Sequence, residues 1–217
     1  MKRRRLNILT LFLLCSFCSY SQNIIDLFYM LPEEYTILGK QERKSLVKNK
    51  KISDGEMNQN IFIDKKNGYL SVNTSFDSNI NTEIKFEMCY RNFENKKLIA
   101  ISTYGGNTRT YSYGQSDFKF FIYDNDLKIS DKPIFKEYYP NLEVTKRLII
   151  TDFYSKMTRK QILEYESLYP SLTFSLPRKG KNIEIKYKNQ KPVSDFGPFF
   201  DIPSKILKWN GDGTFSE

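Results

Sequence analysis

Apolar/polar alternation, cut at short intervals by turn residues, is the feature that most limits what this chain can fold into. Residues 83–91 show it most clearly. Ile84, Phe86, Met88 and Tyr90 share one parity, and Glu83, Lys85, Glu87 and Cys89 the other, as in a strand with one apolar face. Upstream, Ile61 and Ile63 alternate with Phe62 and Asp64. Asn67-Gly68 follows as a tight-turn pair, and Tyr69, Leu70 and Val72 return, which reads as a hairpin. A turn at 92–95 leads into a strand over 98–104, and strands at 118–123 and 127–130 flank the turn Asp124-Asn125-Asp126. Strands at 172–176 and 183–187 flank Gly180, and Ile206-Leu207-Lys208-Trp209 precedes the turn Asn210-Gly211-Asp212-Gly213.

Helical spacing occurs in three places. Ile24, Ile25, Phe28 and Leu31 predict a helix ended by Pro32, and residues 41–48 predict a second with Leu46 and Val47 on its apolar side. Residues 158–161 resemble a capping box opening a third, which carries Ile162, Leu163, Tyr165 and Leu168 and stops at Pro170. The order is α+β, with short helices packed on antiparallel sheet. Residues 22–217 suffice for a single domain, and because the helix-then-strands order occurs twice, subdomains at 22–131 and 132–217 are also compatible with it. The lone Trp209 is expected to be mostly buried against a sheet, near the first helix or its Pro32 turn.

The N-terminus reads as a secretory leader. Lys2, Arg3, Arg4 and Arg5 form a cationic head, residues 6–18 an apolar run, and Ser19 and Ser21 the small residues before a cut ahead of Gln22. The apolar run is shorter than the roughly 20 residues of a membrane-spanning helix. Cys15 and Cys18 follow Leu14 and Phe17 rather than small residues, so they read as part of the apolar run and not as lipidation sites. The expected location is periplasmic or extracellular, with no transmembrane segment in the mature chain.

Composition narrows the chemistry. Four of the 34 basic residues lie in the leader and none of the 25 acidic ones does, so the balance falls from +9 to +5 after cleavage. That is too dilute for a nucleic-acid face, and no nucleic-acid partner is expected. The chain contains no histidine, which removes Ser-His-Asp triads, Cys-His pairs and histidine-bound metals together. Cys89 is the only cysteine beyond the leader, so no intrachain disulfide forms. No catalytic residue, metal ligand set or cofactor is assigned.

The segment 104–115 is the strongest binding candidate. Tyr104, Arg109, Tyr111 and Tyr113 stand among Gly105, Gly106, Gly114 and small polar residues, a mixture typical of adaptable contact loops; the competing reading is a long hairpin. Cys89 reads as a small filler residue, since no histidine can activate it. Arg178, Lys179, Lys181, Lys186, Lys188 and Lys191 could meet an anionic surface, although charges on an exposed strand also serve to block edge pairing. Asp195-Phe196-Gly197 stands without the other elements of a kinase, and residues 124–126 lack the glycine and distal glutamate of a calcium loop.

Several stretches resemble a family of secreted bacterial proteins grouped as domain of unknown function 3256. They are Phe28-Tyr29-Met30-Leu31-Pro32-Glu33, the Arg-containing helix at 41–47, and Phe120-Phe121-Ile122-Tyr123-Asp124 with Leu127-Lys128. Leu172-Thr173-Phe174-Ser175 and Trp209-Asn210-Gly211 with Phe215 complete the set. The resemblance implies an exported α+β fold similar to that of β-lactamase inhibitor proteins, and it implies no activity. The expected function is a non-enzymatic module binding a protein or glycan partner in the cell envelope. The alternatives are a carboxylate-based hydrolase of cell-wall or carbohydrate substrates and an accessory subunit of an envelope assembly.

Overall fold

The computed structural model describes residues 22–76, 82–94, 96–107, 112–124, 136–137, 172–187 and 205–216. The expected leader, the helix near 158–168, the strand at 127–130 and the Asp195-Phe196-Gly197 triplet lie outside these residues. Helix α1 (Ile24–Met30) starts where Asn23 Oδ1 accepts the Ile25 N–H at 2.9 Å and Asp26 accepts the Asn23 N–H at 3.0 Å. These bonds use donors that a helix start would otherwise leave unpaired. Pro32 leads into a 3₁₀ turn (Glu33–Tyr35), and α2 (Lys40–Asn49) follows. Glu42 accepts the Gly39 N–H and Glu33 the Lys40 N–H, at 2.7 and 2.8 Å. The helix ends at Lys50 in the left-handed conformation, φ 66°. Arg43, only 1% exposed, joins the helices. Its Nη1 donates to Phe28 O and Leu31 O, both at 2.6 Å, satisfying carbonyls at the end of α1 that have no helical partner.

Seven strands form an antiparallel meander in chain order: β1 (Lys51–Asp54), β2 (Met57–Asp64), β3 (Tyr69–Phe76), β4 (Thr82–Phe93), β5 (Lys96–Asn107), β6 (Ser112–Asp124) and β7 (Lys136–Glu137). A second sheet contains β8 (Leu172–Ser175), β9 (Ile183–Tyr187), β10 (Lys205–Trp209) and β11 (Phe215–Ser216), each antiparallel to the next. The described chain is therefore mostly antiparallel sheet with two short helices, consistent with α+β.

Both faces of the meander are covered. One presents Leu70, Val72, Phe86, Met88, Ile99, Ile101 and Phe121 to Leu27 and Phe28 of α1 and Leu46 of α2. The other presents Cys89, Leu98, Ala100, Phe118 and Phe120 to Phe174, Leu176, Ile183 and Ile185 of the second sheet. Phe118 and Phe174 stack with ring centroids 4.3 Å apart. Helices, seven-stranded sheet and four-stranded sheet thus make three layers around two cores.

The second core corrects two expectations. β4 does not have one apolar face alone: on its other parity Glu87 is 2% exposed and Cys89 lies among apolar side chains, while Glu83 stays open. Cys89 is the expected small filler, beneath the second sheet. Trp209 is half-buried and does not pack near α1. It contacts Phe93 and Phe215, with centroids 6.2 and 5.2 Å away. Its strand belongs to the second sheet, which covers the face opposite the helices.

Candidate binding cleft

A bulge at the register shift between Thr103 and Tyr104 sets the site. Thr103 pairs with Asp117 and Tyr104 with Gln115, which leaves Ser116 as the extra residue of β6. An extra residue reverses the parity beyond it, so Gln115 turns toward the second sheet. Gln115 Nε2 donates to Ser102 Oγ (2.8 Å), Thr103 O (3.0 Å) and Asp117 O (2.5 Å), and its Oε1 accepts the Phe174 N–H (2.8 Å). Ser102 Oγ donates to Phe174 O at 2.6 Å. These bonds hold β8 over β5 and β6.

The cover of β8 ends at Tyr104, and beyond it the face of β2, β3 and the start of β4 is open at Asn60, Asn73, Ser75 and Glu83. Register places one polar residue per strand in a single row: Asn60 opposite Asn73, Asn73 opposite Lys85, and Lys85 opposite Tyr104. In the adjoining row Asn58 faces Ser75, Ser75 faces Glu83, and Glu83 faces Gly106, which has no side chain to fill the space. Asn60, Asn73, Ser75, Glu83, Lys85 and Tyr104 line a cavity of about 390 Å³.

A buried polar cluster backs this cavity. Glu87 accepts hydrogen bonds from Tyr69 Oη (2.8 Å), Lys85 Nζ (2.6 Å) and the Leu176 N–H (2.9 Å). Burial alone would lower the Lys85 pKa, but its hydrogen bond and charge interaction with Glu87 outweigh this and raise it. Burial, reinforced by the Glu87 charge, raises the pKa of both Tyr69 and Tyr104. At neutral pH the cluster therefore presents a positive Lys85 and two protonated phenols. The open floor beside it offers amide and hydroxyl groups that both donate and accept, flanked by an exposed carboxylate at Glu83.

Within the segment 104–115, residues 104–107 of β5 pair with residues 112–115 of β6, as in the competing hairpin reading. Tyr104 is 6% exposed, bonded to Ser175, with Lys85 Nζ 5.8 Å from its ring centroid. The expected free contact side chain is instead part of the cleft wall, because β8 covers this stretch. Tyr113 lies in β6 opposite Gly106; Arg109 and Tyr111 lie outside the described residues. Gly105 has φ 158°, and a Cβ there would overlap Glu83 O and Ile84 Cα, so its missing side chain serves the approach of β4 rather than of a partner. Asn60, Asn73 and Lys85 were not legible as a group, since each is only a polar residue in a strand and cross-strand register alone unites them.

Among the described residues no helix is long and apolar enough to cross a membrane, and no group of three or more His, Cys, Asp or Glu could hold a metal ion. No family profile, curated protein or solved structure matches this chain.

Proposed function

We propose that this chain is an exported, non-enzymatic binding module of the cell envelope that holds a neutral, hydroxyl-rich glycan in the cleft. One observation carries the reading: the in-register row Asn60–Asn73–Lys85–Tyr104, which runs from the open floor to the wall of the cleft. Two adjacent amides can each donate and accept, as neighbouring sugar hydroxyls require. The Lys85 charge is balanced by Glu87, so the floor makes little demand for a charged ligand. Glu87 accepts from three donors, a holding role rather than that of a general acid or base. The leader-like residues 1–21 support export to the periplasm or beyond. The proposed kinship with β-lactamase-inhibitor-like folds and with domain of unknown function 3256 rests on the short sequence stretches that resemble that family.

Calorimetric titration with a panel of neutral cell-wall and storage oligosaccharides tests the proposal. Asn73→Ala and Asn60→Ala should each weaken the bound glycan about tenfold, the equivalent of one or two hydrogen bonds. Both side chains are exposed, so thermal stability should hold. Failure of every oligosaccharide to bind, or cleavage of one on incubation, overturns the reading.

A further inference from the structure

The end of the molecule that carries the β2–β3 and β8–β9 turns concentrates charge. Residues 62–68 and 176–182 contain Lys65, Lys66, Arg178, Lys179 and Lys181, with Asp64 the sole acid. The two turns are tied together. Arg178 Nε donates to Asp64 Oδ2 at 3.0 Å, and its guanidinium carbon lies 4.4 Å from the Phe62 ring centroid. Arg91 comes up from β4, donating from Nη2 to Gly180 O (2.6 Å) and Pro177 O (3.3 Å) and from Nη1 to Asn67 O (3.4 Å). Asp64 is thereby occupied: Asn67 and then Arg178 hold its carboxyl below the usual carboxylate range.

Lys65, Lys66, Lys179 and Lys181 are all exposed, and none has an ion-pair partner among the described residues. Phe62, 42% exposed, lies on the same two tied turns, with Arg178 over its ring. We infer that these two turns form a docking surface for an anionic lipid bilayer. The cations at the hairpin ends are mostly lysines, which act as point charges suited to a diffuse negative surface; bidentate recognition of single phosphates favours arginine. An exposed aromatic ring beside such a cluster adds the apolar component of interfacial binding. The two arginines present are spent on joining the turns, so the four lysines project from two turns held together. This inference is independent of the cleft.

Vesicle co-sedimentation at low salt tests it. The full chain should partition onto vesicles of mixed phosphatidylcholine and phosphatidylglycerol and much less onto phosphatidylcholine alone. The variant Lys65→Gln/Lys66→Gln/Lys179→Gln/Lys181→Gln should bind the anionic vesicles roughly 100- to 1,000-fold more weakly. Both chains carry the same N-terminus, so the contribution of residues 2–5 cancels in the ratio. The pair Lys65→Gln/Lys66→Gln alone, which touches only one turn, should lose roughly the square root of that factor. About 1 M salt should abolish the difference, because charges are then screened within about 3 Å. Equal partition of wild type and quadruple variant overturns the inference. So does a variant that loses affinity for soluble dextran sulfate while keeping its affinity for vesicles, since the partner is then a polyanionic chain.

Discussion

Replacing Glu87 by Gln keeps the size of a buried side chain and removes what its three partners need. In the folded protein Tyr69 Oη, Lys85 Nζ and the Leu176 N–H all donate to it. A Gln amide offers one acceptor oxygen and turns an NH₂ group toward the remaining donors. An orphaned buried N–H costs about 1–3 kcal/mol. Breaking a buried ion pair by removing one member costs about 3–5 kcal/mol. The Lys85 side chain is 35% exposed against 3% for Glu87, so the ammonium can reach water in the cleft, and that figure must be discounted for screening. The expected destabilisation of Glu87→Gln is therefore about 2–4 kcal/mol, or a fall in Tm of roughly 5–15 °C for a domain of this size. Urea denaturation of wild type, Glu87→Gln, Lys85→Met and the double variant measures both the loss and the coupling. The double variant should be more stable than the sum of the single losses implies, by at least about 1 kcal/mol. The raised Lys85 pKa adds a pH signature. Its contribution is full below the ordinary lysine value near 10.4 and is lost as pH rises through the higher folded value. The raised Tyr69 acts in the same direction, because the unfolded phenol ionises first. Alkaline destabilisation should therefore be shallower in Lys85→Met than in wild type. A Glu87→Gln loss below about 1 kcal/mol, strictly additive with Lys85→Met, would refute the reasoning.

Three further outcomes are expected. Gly105→Ala should destabilise by more than about 2 kcal/mol, because its Cβ meets backbone of β4, whereas Gly114→Ala, with open space at its Cβ, should be neutral or slightly stabilising in the same thermal melts. Arg43→Met should cost about 2–4 kcal/mol in urea denaturation by orphaning Phe28 O and Leu31 O. Burial pushes the Cys89 thiol up to about 11, against the lowering effect of Arg91; its alkylation near pH 8, followed by mass spectrometry of the Cys89 peptide, should therefore be no faster than unfolding.

Much of the local structure was legible. Pro32 and the spacing of Ile24, Ile25, Phe28 and Leu31 mark α1, since helical periodicity and its termination act within a few residues. Asn67-Gly68 and Gly180 mark hairpins that form where they were expected, since a left-handed turn position selects glycine over short range. The candidate site was legible only in part. Tyr104 was singled out for the wrong reason, as a free contact in a loop, and it forms the wall of a cleft beneath β8.

What the sequence determined by itself, then, is that α1, α2 and the strands β2 to β6 and β8 to β10 form near where they do and which parity of β4 is apolar, because backbone sterics and hydrophobic burial are read along a few consecutive side chains. It could not determine that the polar parity of β4 would be buried as well. Glu83, Lys85, Glu87 and Cys89 look alike from their neighbours in sequence; residues 172–187, nearly a hundred positions downstream, cover Glu87 and Cys89 and leave Glu83 open with Lys85 half-buried at the margin. The row Asn60–Asn73–Lys85–Tyr104 likewise exists only once four strands are in register. Cross-strand pairing joins residues distant in the chain, and only the tertiary structure decides which of them become neighbours.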